Sequence, residues 1–209
     1  MAAAVCQGAR QRRADRAAAG DGKRLGLGSA RPLVGRAFLR GLKERQRMNR
    51  EETIHAAARL RGEGRGEEAL RLLKELADDA ADDAELEYQL AWTHDSLGLE
   101  REAVPHYERA LSLGLGPEDD AGARLGLGST LRTLGRYAEA RELLEASAQR
   151  YPERAEFRVF LAMALYNEGD AARAMELLLR ELADSSSAAG VQEYARAIRF
   201  YADKLDQVW

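Results

Sequence analysis

Histidine is the first side chain to consider for chemistry, because it serves as a metal ligand and as a general acid or base near neutral pH. The chain contains three histidines, His55, His94 and His106, and a single cysteine, Cys6. No H-x3-H or C-x2-C spacing occurs among them, so the sequence contains no recognisable metal-binding motif. We therefore predict neither a bound metal nor any other cofactor.

His94 and Asp95 are adjacent in sequence and could form an acid–base pair. Neighbouring residues of a helix point about 100° apart, however, so we interpret His94 as a helix-packing residue and expect Asp95 to face outward. No serine, threonine or cysteine lies in a nucleophile motif with a base. The sequence therefore predicts no catalytic residue and no enzymatic activity.

One glycine-rich run, Leu125-Gly126-Leu127-Gly128-Ser129-Thr130, superficially looks like a phosphate-binding loop. Such loops carry a lysine directly after the last glycine and follow a buried strand. The run lacks both features. We interpret its glycines instead as small residues that allow two helices to pack closely.

The elements that must position these residues are repeated helices. Four glycines, each followed five residues later by an alanine, are separated by 34, 37 and 34 residues. The glycine–alanine pairs are Gly64 and Ala69, Gly98 and Ala103, Gly135 and Ala140, and Gly169 and Ala174. Apolar residues at helical spacing lie on both sides of each glycine. A period of this length with two amphipathic helices predicts an all-α helical solenoid.

The local roles of these residues follow from helix geometry. Glycine suits the left-handed backbone that ends a helix, and alanine permits a short distance between paired helices. Either Asp82 or Asp83 can cap the helix that follows. The connection from Leu113 to Asp120 contains two glycines and a proline, so we predict a loop there.

The repeat resembles the tetratricopeptide repeat, whose pattern is W-x2-L-G-x2-Y, then A-x3-F, then P. The opening tryptophan is missing, and only the third repeat has the final proline, Pro152. The closing motif is better kept, as Ala69-x3-Leu73, Ala103-x3-Tyr107, Ala140-x3-Leu144 and Ala174-x3-Leu178. The resemblance covers about residues 50–186. It is strongest in the middle two repeats, which look like a bacterial subgroup whose members mostly have no assigned role.

The resemblance implies a right-handed solenoid of about four helix-turn-helix repeats. We expect residues 48–186 to form these repeats and residues 187–209 to form a capping helix that covers the last pair. The resemblance also implies a protein-interaction scaffold that binds a peptide or protein partner in a concave groove.

The groove would be lined by the first helix of each repeat. The matching positions include Tyr88, Trp92, Asp95, Leu125, Arg132, Val159, Met163 and Tyr166. We interpret Tyr88, Trp92 and Tyr166 as partner anchors; the alternative is that they close gaps between helices.

The residues of the groove, and the net negative charge of the chain after residue 50, limit which peptides could bind. Relatives that capture a C-terminal carboxylate use lysine and asparagine at groove positions occupied here by Ile54, Ala58, Gln89, Gly122 and Gly126. We therefore expect no binding of chaperone tails in that manner. A peptide partner would be apolar or basic, because the body is acidic.

The first part of the chain has the opposite charge. Residues 1–50 contain 13 Lys or Arg and 3 Asp or Glu, a net charge of +10, whereas the remainder contains 19 and 32, a net charge of −13. Three interpretations of residues 1–47 stay open: translation that starts at Met48, a disordered basic arm, or a targeting peptide. The arm could contact nucleic acid, acidic lipid or the acidic body itself, and nucleic acid could be bound only through these residues.

No stretch approaches the roughly 20 apolar residues that a membrane-spanning helix requires. No secretory signal is visible near the start of the chain either. The sequence therefore predicts a cytoplasmic protein.

Overall fold

The computed structural model describes residues 49–78 and 82–209. Within these residues every regular element is an α-helix. The chain separates into two compact units with a boundary between Ala81 and Asp82. The basic segment predicted for residues 1–47 lies outside the described residues, and its interpretations stay predictions.

The first unit contains a helical hairpin. Its helices are α1, with described residues 49–62, and α2, Gly66–Ala77. The turn between them includes Gly64, which has a positive φ of 79°. One apolar side of the hairpin is buried, through Ile54, Ala57, Ala69 and Leu73.

The second unit contains seven helices. They are α3 (Ala84–Ser96), α4 (Glu100–Leu113), α5 (Pro117–Thr133), α6 (Tyr137–Arg150), α7 (Ala155–Glu168), α8 (Ala171–Ser185) and α9 (Ala189–Tyr201). Consecutive helices pack against one another throughout. In addition α3 packs against α5, and α5 packs against α7. The first helices of successive pairs therefore form one layer, which we call the inner row (α3, α5 and α7).

Within each helical pair, the same hydrogen-bonded turn joins the two helices. At Gly135, where φ is 78°, the N–H of Arg136 donates to the carbonyl oxygen of Leu131 at 2.9 Å. This six-to-one hydrogen bond over a left-handed residue is the Schellman motif. The same bond occurs from Arg65 to Leu60, from Leu99 to His94 and from Asp170 to Leu165. The prediction that these glycines end helices is confirmed.

Small residues lie where paired helices approach. The four alanines of the repeat, Ala69, Ala103, Ala140 and Ala174, are all buried. A Cβ added to Gly128 would lie 2.7 Å from Cγ of Leu144, and one added to Gly126 would lie 2.6 Å from Cζ of Tyr107. The glycine-rich run therefore lies inside α5 and allows close packing against α4 and α6, as predicted.

Two element boundaries differ from the predictions. The loop expected from Leu113 to Asp120 is only three residues long, because α5 begins at Pro117. Proline is favourable in a first helical turn, and three acidic residues follow it there. The last helix is also shorter than the segment 187–209, since α9 ends at Tyr201. Beyond it Leu205, Val208 and Trp209 are exposed, whereas Ala202, directly after the helix, is buried.

Candidate partner-binding face

The predicted groove residues all belong to the inner row. Tyr88, Trp92 and Asp95 lie on α3, Leu125 and Arg132 lie on α5, and Val159, Met163 and Tyr166 lie on α7. On each helix the spacing of these residues is three, four or seven, which places them on one face. Their exposure differs greatly from helix to helix.

On α3 the predicted anchors are interior residues. Trp92 is only 8% exposed and Tyr88 is buried beside it. Their rings are stacked, with centroids 5.9 Å apart, and the ring of Tyr107 from α4 lies 6.2 Å from that of Tyr88. Leu125, on α5, is also buried. Tyr88 and Trp92 are therefore not accessible to a partner without rearrangement.

Asp95 is buried as well, and the prediction that it faces outward is wrong. Its side chain is at a junction of three helices: Thr130 Oγ1 from α5 lies 3.1 Å from Oδ1, and the Tyr107 hydroxyl from α4 lies 3.5 Å from Oδ2. Asp95 is in the last turn of α3. A side chain there is enclosed because both α4 and α5 pack against this helix.

The surroundings of Asp95 accommodate its protonated form, which its burial favours. The Thr130 hydroxyl also lies 2.8 Å from the carbonyl oxygen of Gly126, and its single proton can serve only one of these acceptors well. A protonated Asp95 can donate to Thr130 Oγ1 while Thr130 donates to Gly126. Burial, and to a smaller extent the charge of Glu100, raises the pKa of Asp95 to about 6 against the opposing hydrogen bonds.

A second buried carboxylate, Asp120, is in the opposite situation. Its Oδ2 accepts hydrogen bonds from Arg124 Nε at 2.7 Å and from the Tyr151 hydroxyl at 2.6 Å, and Arg150 Nε lies 3.6 Å away. Burial alone would raise the pKa of Asp120, but these hydrogen bonds and the two positive charges outweigh burial and lower it. Asp120 is therefore held as a carboxylate, whereas Asp95 has no cation beside it among the described residues.

Two of the three histidines, His94 and His106, have structural partners. His94 is buried with Nδ1 2.9 Å from the carbonyl oxygen of Leu90, so its interpretation as a packing residue is confirmed. Its ring stacks on that of His106 at a centroid distance of 5.1 Å. His106 Nδ1 lies 2.6 Å from Oε2 of Glu87. Across residues 49–78 and 82–209, no group of three or more His, Cys, Asp or Glu side chains could hold a metal ion.

On α7 the inner-row residues reach solvent. Tyr166 is 68% exposed and Met163 is 39% exposed, and Val159 one turn earlier is half-buried. Exposed large apolar side chains in a row form the kind of surface that binds partners. The α7 portion of the predicted face is thus accessible, in contrast to the α3 portion.

Arg132 joins α5 to this exposed portion. Its Nη1 donates to Oδ1 of Asn167 at 3.1 Å. Its Nε is buried without a hydrogen-bond acceptor in the described part of the chain, and so is the hydroxyl of Ser129, one turn earlier. Sequence reasoning did not include Asn167. The 34-residue period pairs Arg132 with Tyr166 rather than with the next residue, and only side-chain geometry shows the contact.

No helix in the described ranges is both long enough and apolar enough to cross a membrane.

The fold defines a class: an all-α solenoid of helical hairpins joined by identical turns. The sequence profile described as "Tetratrico peptide repeat" matches residues 14–93 and 84–205. The chain belongs to the tetratrico peptide repeat family, whose members are generally non-catalytic scaffolds for protein interactions. No curated protein matches the sequence.

Solved structures similar to this chain share the fold. MamA residues 41 to the end from Desulfovibrio magneticus RS-1 is 22% identical with a TM-score of 0.59, covering 75% of this chain and 86% of that one. YrrB, described as a TPR protein with an unusual peptide-binding site, is 20% identical with a TM-score of 0.56, covering 68% and 71%. A putative kinesin light chain from Podosopora anserina with nearly identical TPR-like repeats is 20% identical with a TM-score of 0.56, covering 75% and 94%.

Proposed function

We propose that the protein is a non-catalytic scaffold that binds a peptide segment of a partner protein on the α5–α7 portion of the inner row. The observation that carries this proposal is the exposure of Met163 and Tyr166, which occupy positions that the family resemblance assigns to the groove. Tyrosine and methionine are enriched where protein surfaces bind partners. YrrB, a protein of similar fold, is described as having a peptide-binding site.

The structure changes which residues should serve as anchors. We predicted Tyr88, Trp92 and Tyr166 as anchors from the repeat positions alone. Tyr88 and Trp92 are interior residues, so their substitution would test folding rather than binding. We propose that Met163 and Tyr166 contact the partner, with Val159 and Arg132 beside them.

The proposal can be tested by selecting binders from a displayed library of random short peptides on the full-length protein. Selected peptides are synthesised with a fluorescent label, and their dissociation constants are measured by anisotropy. The double variant Met163→Ala/Tyr166→Ala should weaken binding by about tenfold or more, because central contact residues supply most of the affinity.

The chain contains a matched control. Met175 is 45% exposed on α8 and Tyr194 is 62% exposed on α9, so Met175→Ala/Tyr194→Ala removes the same two side-chain types at similar exposure outside the inner row. This control should leave the dissociation constants unchanged. Equal weakening by both double variants, or by neither, would contradict the proposal.

A further inference from the structure

The charge at the proposed face differs from the charge of the second unit as a whole. Residues 82–209 contain 14 Lys or Arg and 24 Asp or Glu, a net charge of −10. Half-buried basic side chains in this range are otherwise paired with carboxylates, as in Arg124 with Asp120 at 2.7 Å and Arg158 with Glu181 at 2.7 Å. Arg132 is the exception: it is half-buried, and within the described residues no carboxylate pairs with it.

The lack of a paired carboxylate matters because Arg132 is partly buried. A cation removed from water needs a counter-charge or a full set of hydrogen bonds. Arg132 lies in the last turn of α5, where the helix dipole favours a positive charge, but the dipole accepts no hydrogen bond. The Arg132 guanidinium has five N–H groups. Among the described residues, Asn167 accepts a hydrogen bond from one of them, and the Nε–H group has no acceptor.

The polar and apolar parts of the face are adjacent. Asn167, which accepts from Arg132, follows Tyr166 directly and lies one helical turn after Met163. Exposed apolar side chains of α7 therefore lie within a turn of a guanidinium that lacks a counter-charge. A ligand on this surface would meet both groups together.

We propose that this surface selects a peptide in which an acidic side chain lies beside a bulky apolar one. The carboxylate would pair with the Arg132 guanidinium, and the apolar side chain would pack on Met163 and Tyr166. This inference rests on the proposed function and replaces the expectation of an apolar or basic peptide. Charges beyond about 8 Å are largely screened at physiological salt, whereas a direct pair is not, so the local cation outweighs the net charge.

The test uses the same displayed library and the full-length protein. Enriched peptides should contain Asp or Glu next to a large apolar residue. Arg132→Gln should weaken their binding by about 10- to 100-fold, the range for one hydrogen-bonded charged contact. Arg101→Gln, a charge-matched change of an exposed arginine on α4, should leave binding unchanged.

Reversing the charge of Arg132 tests whether the loss of binding comes from the direct charge pair. Arg132→Glu should lose the acidic peptides and bind the same peptides with lysine in place of the acidic residue. Circular dichroism checks that both variants keep the helical fold.

The two proposals fail in different ways. Enriched peptides that depend on Met163 and Tyr166, but bind Arg132→Gln as well as the parent, would overturn the acidic preference and leave the face intact. Enrichment of basic peptides would overturn it also. If no enriched peptide depends on either set of residues, both the face and its preference are refuted.

Discussion

The two ends of the inner row have equivalent positions in the repeat and different physical roles. On α3 these positions hold Trp92 and Asp95, which are 8% and 6% exposed. On α7 they hold Met163 and Tyr166, which are 39% and 68% exposed. The repeat therefore determines which way a side chain points but not whether solvent reaches it. Residues on α3 should support the fold, and residues on α7 should be available to a partner.

The largest effect should come from removing the α3 aromatic side chain. Trp92→Ala deletes an interior indole stacked on Tyr88. We expect the free energy of unfolding to fall by about 3–5 kcal/mol, as for other buried tryptophans. Denaturant unfolding followed by circular dichroism measures it. A loss below about 1 kcal/mol would place Trp92 at the surface and remove the difference between the two ends.

The next prediction concerns Asp95 and pH. The folded-state pKa of about 6 exceeds the ordinary value of 3.8, so the folded protein binds the extra proton between these values. The contribution of Asp95 to the unfolding free energy should therefore be fully present below about pH 4 and decline by about 3 kcal/mol as the pH rises through about 6. Asp95→Asn should abolish this decline, so the variant should be more stable than the parent at pH 7.

Asp120 provides the control for that measurement. Its pKa is lowered by the hydrogen bonds and charges of its basic and tyrosine partners, so its contribution is present above about pH 4 and is lost as the pH falls further. Asp120→Asn should therefore destabilise the protein at pH 7, the opposite sign to Asp95→Asn. If both variants shift the stability in the same direction at neutral pH, the assignment of the two carboxyl groups is wrong.

A smaller effect tests the register that makes the two ends equivalent. Ala140 is fully buried where α6 meets its partner helix. Ala140→Leu should overpack this contact and lower the unfolding free energy by about 1–3 kcal/mol. Thermal unfolding provides the measurement, with Ala138→Leu, an exposed position on the same helix, as the control. Equal melting temperatures for Ala140→Leu and the parent would argue against the register.

The smallest effect on stability is expected on α7. Tyr166→Ala removes a side chain that is mostly in solvent, so the unfolding free energy should change by no more than about 0.5 kcal/mol. The same denaturant titration used for Trp92→Ala measures it. A loss comparable with that of Trp92→Ala would show that Tyr166 is a packing residue rather than a surface available to a partner.

Much of the fold follows from local sequence. The Schellman turns at Gly98 and Gly135 depend on a residue that adopts positive φ without strain, and this requirement is visible as periodic glycines. Asp83 caps α3 by accepting from the N–H of Leu86 at 3.1 Å, one of the two caps predicted. Such interactions span a few residues, so sequence alone reveals them. The start of α5 at Pro117 differs from the prediction because a proline after glycines is compatible with a loop as well as with a first helical turn.

The site was predicted less well, because exposure depends on neighbouring helices. The prediction that Asp95 faces outward depended only on the geometry of its own helix. In the structure Oγ1 of Thr130, 35 residues later in sequence, lies 3.1 Å from Oδ1 of Asp95. The contact of Arg132 with Asn167 likewise crosses 35 residues. No pattern within one repeat encodes these distances.

By itself, the sequence determined the helical solenoid, its turns and the face on which each inner-row side chain lies, because these depend on backbone preference and helical period. Only the tertiary structure decided which of those side chains are enclosed and which carboxyl group meets a cation. The burial and charge pairing of a side chain depend on helices that are distant in sequence, so they are determined only when the helices pack together.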